Sequence, residues 1–318
     1  MTSKETAAWL AARNNFLILT HLRPDGDCLC SAAGLCQGLR EAGKTAWLLQ
    51  NPETAARNYA AYMEPYCAPA DFVPSVVLSV DTAAENMFQI NAGAYQGRTE
   101  LCIDHHASNT GYAAETCLAP ERAACGELIY DILLALSGGI SEKTATLLYV
   151  ALSTDTGCFC YGNTNAQTLL TAARLVEAGA PNARLNKELF RTKRRQRLAL
   201  ECRLFAELAL FMDDTVALVQ ISLSLLRETG ADEADMEDIA ALPGQIAGVV
   251  VSVTLREMED GCSKLSVRTT GQADANAICG RLGGGGHKMA AGCTVNAGLA
   301  EARRLILEAI AHEWHPDS

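Results

Sequence analysis

Positive charge is scarce in this chain. Lys and Arg number 26 against 37 Asp and Glu, giving a formal net charge of −11 over 318 residues. That excludes the broad basic surface on which tight, non-specific duplex binding depends. It leaves room for a short anionic ligand, because bound divalent cations reverse a local field. No apolar stretch approaches the ~20 residues needed to span a bilayer, so no membrane association is expected. No charged start followed by an apolar run resembles an export signal, and the expected location is the cytoplasm. Aromatic residues make up only 6%, and nowhere do they form the stacking series that tracks a long single strand. Internal repeats and low-complexity tracts are absent as well.

Cysteine is plentiful: there are 13, an odd number scattered through apolar segments. This is not the framework of a small secreted fold. Free thiols in a reducing compartment, serving mostly as small core residues, are expected. Cys28 with Cys30 and Cys158 with Cys160 lack the two-residue spacing usual in zinc sites. With 49% hydrophobic and 20% charged residues, the chain has material for a sizeable core and for one large or two ordinary domains.

Strand-like and helix-like stretches alternate along the first half. Asn15–Thr20, Thr45–Leu49, Val73–Val80 and Thr99–Ile103 read as strands. Residues 5–13, 29–41, 53–63, 82–89, 126–137, 141–152 and 165–178 read as helices, with Ser141 as an N-cap. Such alternation predicts an α/β fold, a parallel sheet with helices on both faces. A long helical pattern, 184–211, carries Arg191, Lys193, Arg194, Arg195 and Arg197; it reads as a connector with a solvated basic face, or as a basic wall beside a substrate. A smaller α/β unit follows: a strand over 216–221, a helix opened by the acidic run 232–238, paired strands over 246–255 and 264–269, a helix over 273–282, a glycine-rich stretch and a closing helix over 299–313. The expected division is 1–183, a helical linker 184–212, and 213–318.

Chemistry-bearing residues gather where apolar runs stop. His21, Asp25 and Asp27 follow Phe16–Leu19, and Pro24 and Gly26 keep their loop out of the helical region. Asp81 follows Val76–Val80. Asp104, His105 and His106 end the run from Leu101, and Asp155 follows Leu147–Leu152. Alone, an Asp-Gly-Asp loop is an ordinary turn. Together, five carboxylates with His21, His105 and His106 cannot share a desolvated crevice without cations, since each uncompensated charge costs several kcal/mol. In open parallel sheets the ligand crevice lies beyond the carboxyl ends of the strands, where these motifs fall, except Asp155, whose preceding run reads as a helix. Hard oxygen mixed with imidazole suits Mn2+ or a similar octahedral ion better than a structural zinc.

On these residues the chain resembles the DHH-family phosphoesterases. The His21/Asp25/Asp27 loop, the lone Asp81, Asp104-His105-His106 and Asp155 are in register with the family pattern. Gly283–Gly292 resembles the glycine-rich signature of the type 1 DHH-associated domain, with Gly284, Gly285, Gly286 and His287 aligned. The two-domain size, and the stretch Ser153–Gly157 followed by Phe159, Asn163 and Thr164, resemble the nano-RNase and pAp-phosphatase subgroup. Cys30 stands where relatives commonly carry Gly, and Leu169 near where they often carry His.

The resemblance implies a two-metal hydrolase using Mn2+, with Mg2+ or Co2+ as substitutes. One ion would take His21, Asp25 and Asp81, and the other Asp27, Asp81, His105 and Asp155. His106 would offset charge on the phosphoryl oxygens and Asp104 would orient an imidazole. Arg268, with the glycines acting as an anion nest and His287 beside them, would hold the substrate. The implied partners are very short RNA or pAp-like nucleotides and a second copy of the chain in a homodimer. Alternative readings are a cyclic dinucleotide or pApA phosphodiesterase and a non-catalytic nucleotide-binding regulator.

Overall fold

The structure is a computed structural model, and it describes residues 1–52, 57–236 and 238–314. Contacts divide the chain into two units, Met1–Thr192 and Lys193–Ser318. No helix among the described residues is long and apolar enough to cross a membrane.

The first unit runs α1 (Ser3–Ala11), β1 (Phe16–Leu19), α2 (Gly26–Glu41), β2 (Ala46–Leu48), α3 (Arg57–Met63), β3 (Val76–Val80), β4 (Leu101–Asp104), β5 (Glu115–Leu118), α4 (Cys125–Ser137), α5 (Glu142–Asp155), α6 (Ala166–Glu177) and α7 (Asn182–Asn186). Its five strands lie in the order β2-β1-β3-β4-β5 and every pair is parallel. β1, β3 and β4 are buried throughout, as strands covered on both faces must be. Phe16 and Ile18 face a large core shared with α2, α4 and α5, while Leu17 and Leu19 face a smaller one with Val77, Phe88 and Ala92.

Cover on that second face differs from expectation. Residues 82–89 do not form an α-helix; two 3₁₀ segments, Glu85–Met87 and Ile90–Tyr95, do the covering. The stretch lacks an apolar stripe at helical spacing, and Gln89 spends its side chain on the backbone of Leu49 and Gln50 and on Thr20. β5 was not expected, because its four residues are mostly exposed. Of the helix expected over 53–63, residues 53–56 lie outside the described residues and α3 supplies the rest.

Helix caps fix where the loops end. Asp25 N-caps α2 by accepting from the Cys28 N–H, Ser141 caps α5 and Asn165 caps α6. α2 starts three residues earlier than expected, so Asp27 sits in its first turn. A Cβ at Gly26 would lie 2.5 Å from Thr154 Oγ1, so only glycine lets α2 and α5 meet at this point.

The second unit runs α8 (Arg195–Ala206), β6 (Ala209–Phe211), β7 (Val216–Ile221), α9 (Leu223–Thr229), β8 (Val251–Glu257), β9 (Ser263–Thr269), α10 (Ala275–Gly280), β10 (Gly285–His287), β11 (Ala290–Val295) and α11 (Leu299–Glu313). Its sheet has the order β10-β11-β9-β8-β7-β6; β7 and β8 are parallel and the other pairs antiparallel. α10 and α11 cover one face, α8 and α9 the other.

Three expectations fail here. The basic stretch is not one long helix: α7 passes into a π turn, Lys187–Arg191, and α8 begins only after extended backbone at Thr192 and Arg194. Nor is it a free basic wall. Lys193 and Arg197 pair with Glu201, and Arg194 pairs with Asp232 and Asp235. The acidic run opens 3₁₀ segments rather than an α-helix: Glu233–Asp235, capped by Asp232, and Ile239–Gln245, which follows Asp238.

Candidate active site

The motifs of the first unit converge at the carboxyl ends of β1, β3 and β4 and at the last residue of α5. Asp81 lies at the centre. Directly after β3 its backbone adopts φ +52°, a left-handed conformation that Asp tolerates better than most residues. Its Oδ2 lies 4.0 Å from His21 Nε2, and its Oδ1 lies 3.3 Å from His105 Nε2 and 3.5 Å from His106 Nδ1. His105 Nε2 is also 3.7 Å from both Asp27 Oδ2 and Asp155 Oδ2. Three ligand groupings result: His21 with Cys28 and Asp81; Asp81 with His105 and His106; and Asp27 with His105 and Asp155.

Asp81 Oδ1 is buried yet has no hydrogen-bond partner. An orphaned carboxylate oxygen is costly unless a positive charge meets it. That oxygen, with the mixed carboxylate and imidazole donors around it, fits a divalent cation.

Charge states follow the same logic. Burial, then Asp81 and Asp155, push Asp27 well above the ordinary carboxylate range. Burial, with Asp25 and Asp81 adding to it against His105, pushes Asp155 up to about 7. His105 is desolvated, which opposes its charge, but contact with Asp81 and the fields of Asp27 and Asp155 raise it to about 10. Without cations the cluster is an assembly of anions that hold protons.

Asp104 has a separate role. It is fully buried. Its Oδ1 accepts from the backbone N–H of His105 at 2.8 Å and lies 2.8 Å from His106 Nδ1, while Asn109 Nδ2 donates to its Oδ2 at 2.6 Å. Burial works against its charge, but the bonds from His106 and Asn109 outweigh it and hold Asp104 below its usual value. The bond to Asp104 in turn raises His106. Asn109 was not singled out from sequence; its signal is its place in the turn after the paired imidazoles.

Asp25 is brought to the rim rather than into the groupings. It is exposed, and one oxygen is engaged in the α2 cap at 3.0 Å. Cys28 takes the inner position. Burial drives its thiol far up, and its Sγ donates to the Val80 carbonyl at 3.7 Å, so it stays a protonated thiol. All 13 cysteines are free, and neither flanking pair forms a disulfide.

In the second unit the glycines act differently from an anion nest. Gly283, Gly284 and Gly286 donate their N–H groups to Gly280 O, Cys279 O and Asn276 Oδ1. β10 pairs with β11, and a Cβ at Gly284 would lie 2.3 Å from both Gly292 O and Cys293 Cβ. Close strand approach therefore accounts for that glycine. What the hairpin does present is a cross-strand row: His287 opposite Ala290, Ala290 opposite Arg268, and Arg268 opposite Ser252. Directly opposed residues share a face, so Arg268 and His287 stand about 10 Å apart at two strand spacings, with only a methyl group between. The Arg268 side chain bonds only the Val267 carbonyl, and no carboxylate pairs with it among the described residues.

Comparison with known proteins agrees with this layout. Residues 15–152 match the model of the DHH family, N-terminal domain, and residues 213–314 match that of the DHHA1 domain. The chain is 31% identical over 307 residues to the bifunctional oligoribonuclease and PAP phosphatase NrnA of Thermus thermophilus, covering 95% of this chain and 91% of that one. It is 22% identical to the cyclic-di-AMP phosphodiesterase GdpP of Geobacillus thermodenitrificans, over 96% of this chain but 48% of that protein. Among solved structures, an exopolyphosphatase-related protein from Bacteroides fragilis shares the fold with a TM-score of 0.87 at 21% identity, covering 98% of this chain and 96% of that one.

Proposed function

This chain belongs to the DHH family of metal-dependent phosphoesterases, and we propose that it hydrolyses very short oligoribonucleotides and removes the 3′-phosphate of pAp-like nucleotides at a centre of two divalent cations, Mn2+ foremost. The observation that carries this reading is the buried Asp81 oxygen that accepts no hydrogen bond, although it faces two imidazoles at 3.3 and 3.5 Å and stands amid further carboxylates. His21, Asp81 and the Asp25 oxygen not used in the cap would hold one cation. Asp27, Asp81, His105 and Asp155 would hold the other, with Asp81 shared because its two oxygens face different imidazoles. Bound there, the pair would supply Lewis acidity and a nucleophile at neutral pH.

The chain's own groups do the rest. Asp104 binds His106 through Nδ1, and that bond, working against burial, raises the proton affinity of the imidazole. A half-exposed imidazole donor beside the cluster would offset charge that grows on phosphoryl oxygens. Asn109 and the two backbone N–H groups hold Asp104 in place for that task. Arg268 and His287 supply two donors for the anionic part of the nucleotide. Arg268→Ala is expected to raise KM for pAp about tenfold or more, since bonds to charged groups contribute about 1.5–3 kcal/mol, while Mn2+ binding is unchanged. Steady-state kinetics beside a metal titration checks this, and an unaltered KM refutes the role.

The match to GdpP supports a second reading, a cyclic dinucleotide phosphodiesterase with the same centre. One comparison separates the two: turnover of pAp, of RNAs two to five nucleotides long, and of cyclic di-AMP under equal Mn2+. The proposal expects the first two to be consumed much faster. Preference for cyclic di-AMP would reverse the order, and no turnover of any of the three would overturn the proposal.

A further inference from the structure

Glu127 has no exposed surface and lies in the first turn of α4. Its Oε1 accepts from the Ala123 N–H at 3.1 Å and the Thr168 hydroxyl at 2.9 Å, and its Oε2 from Arg122 Nη1 at 3.2 Å. Arg122 Nη2 donates to Asp131 at 2.7 Å. One carboxylate thus fixes both the backbone and the side chain of the segment just before α4.

That segment reaches three of the four residues assigned to the second cation, all but the shared Asp81. The Arg122 carbonyl lies 3.1 Å from His105 Nδ1. It accepts the proton on Nδ1 and keeps Nε2 turned to Asp27, Asp81 and Asp155, free to act as a ligand once its own proton is displaced by a cation. The Cys125 N–H donates to Asp27 Oδ2 at 2.6 Å and the Gly126 N–H to Asp27 Oδ1 at 3.1 Å. Asn163 Nδ2 bonds the Ala123 carbonyl and the Asp155 carbonyl, both at 3.1 Å. A single strap, residues 122–126, therefore orients an imidazole, anchors a carboxylate and is tied to the backbone of a third ligand. By contrast, the contacts around His21 come from elsewhere: Asn51 Nδ2 bonds its carbonyl and Leu22 pairs with Met87.

We infer that Glu127 is a positioning residue for one cation only, setting the strap that holds Asp27, His105 and Asp155. This rests on the two-cation reading above. Glu127→Gln retains an oxygen for Ala123 and Thr168 but removes the charge that pairs with Arg122. The strap keeps its backbone tie at Ala123 but loses its charged tie at Arg122, so the carbonyl that orients His105 is less firmly held.

The test counts ions on the full chain. Mn2+ titration by calorimetry, with free Mn2+ followed by electron paramagnetic resonance, is carried out on the wild type, Glu127→Gln and Arg122→Ala. The expected result is two sites in the wild type. In each variant one site keeps its affinity and the other weakens about 10–100-fold, the usual consequence of losing an outer hydrogen-bond partner. Activity should return in the variants at saturating Mn2+, with kcat near the wild-type value. Two unaltered affinities in both variants overturn the inference. Equal weakening of both sites, or kcat that stays low at saturation, also overturns it, because either marks a general defect of the fold. A wild type that binds a single ion overturns the two-cation reading itself.

Discussion

Asp81→Asn is expected to lower kcat at least about 10³-fold, the scale on which losing one strong electrostatic stabiliser slows an enzyme, while the fold persists. The substitution is chosen for its shape. Asparagine fills the same volume and tolerates the left-handed backbone at φ +52° as readily as Asp does. What it removes is the one carboxylate whose oxygens face His21 on one side and His105 on the other. A neutral amide cannot bind two cations, so both sites weaken together. Stability should move the opposite way. Without metal, Asp81 adds to the repulsion felt by Asp27 and Asp155, so the metal-free variant is expected to melt no lower than the metal-free wild type. It should, however, gain no stability from Mn2+. Residual turnover within tenfold of wild type, or an undiminished thermal shift with Mn2+, would refute the shared-ligand role.

Chelator-treated wild type should lose stability as pH rises, and Mn2+ should restore it. The sign follows from the raised values. Asp27 and Asp155 hold protons in the folded chain well above the unfolded carboxylate range, Asp155 up to about 7 and His105 up to about 10. The native state then binds more protons than the unfolded one, so stability falls as pH climbs, first between about 4 and 7 and again toward about 10. Asp104 has the opposite sign, because its value is depressed, but its contribution is lost only as pH falls below the ordinary carboxylate range. Cations take the place of the protons. Mn2+ binding should release protons and tighten with pH. At a free concentration about 1,000-fold over Kd it adds about 4 kcal/mol, a rise of about 10 °C in the melting of a unit of this size. The shift should be larger at pH 8 than at pH 5.5. Differential scanning calorimetry of the first unit's transition at both values, with and without Mn2+, decides; an equal shift would contradict a proton-holding cluster.

Much of the fold could be read from apolar runs that stop at an acid. Leu101–Ile103 is uninterrupted and buried, so strand and site residue were visible together. Asp155 was legible as the end of a helical pattern, and α5 ends on it. Covering elements were harder, since residues 85–95 form 3₁₀ turns held by Gln89, whose bonds depend on a neighbouring strand end. The glycine run works differently from the expected nest: acceptors on α10, invisible in a row of glycines, take the N–H groups of Gly283, Gly284 and Gly286. The strap before α4 acts through the carbonyl of Arg122 and the amides of Cys125 and Gly126. Backbone groups carry no residue signature, so their role appears only once the chain is folded.

The contact between Gly26 and Thr154 has one last implication. Gly26 lies between Asp25 and Asp27, and Thr154 directly precedes Asp155, with no space for even a methyl group between them. The spacing of acids from distant parts of the sequence is thus set by two helices in direct contact, already as near as they can come. The centre proposed here is therefore expected to take a small octahedral ion in preference to Ca2+, which prefers longer bonds and a looser shell.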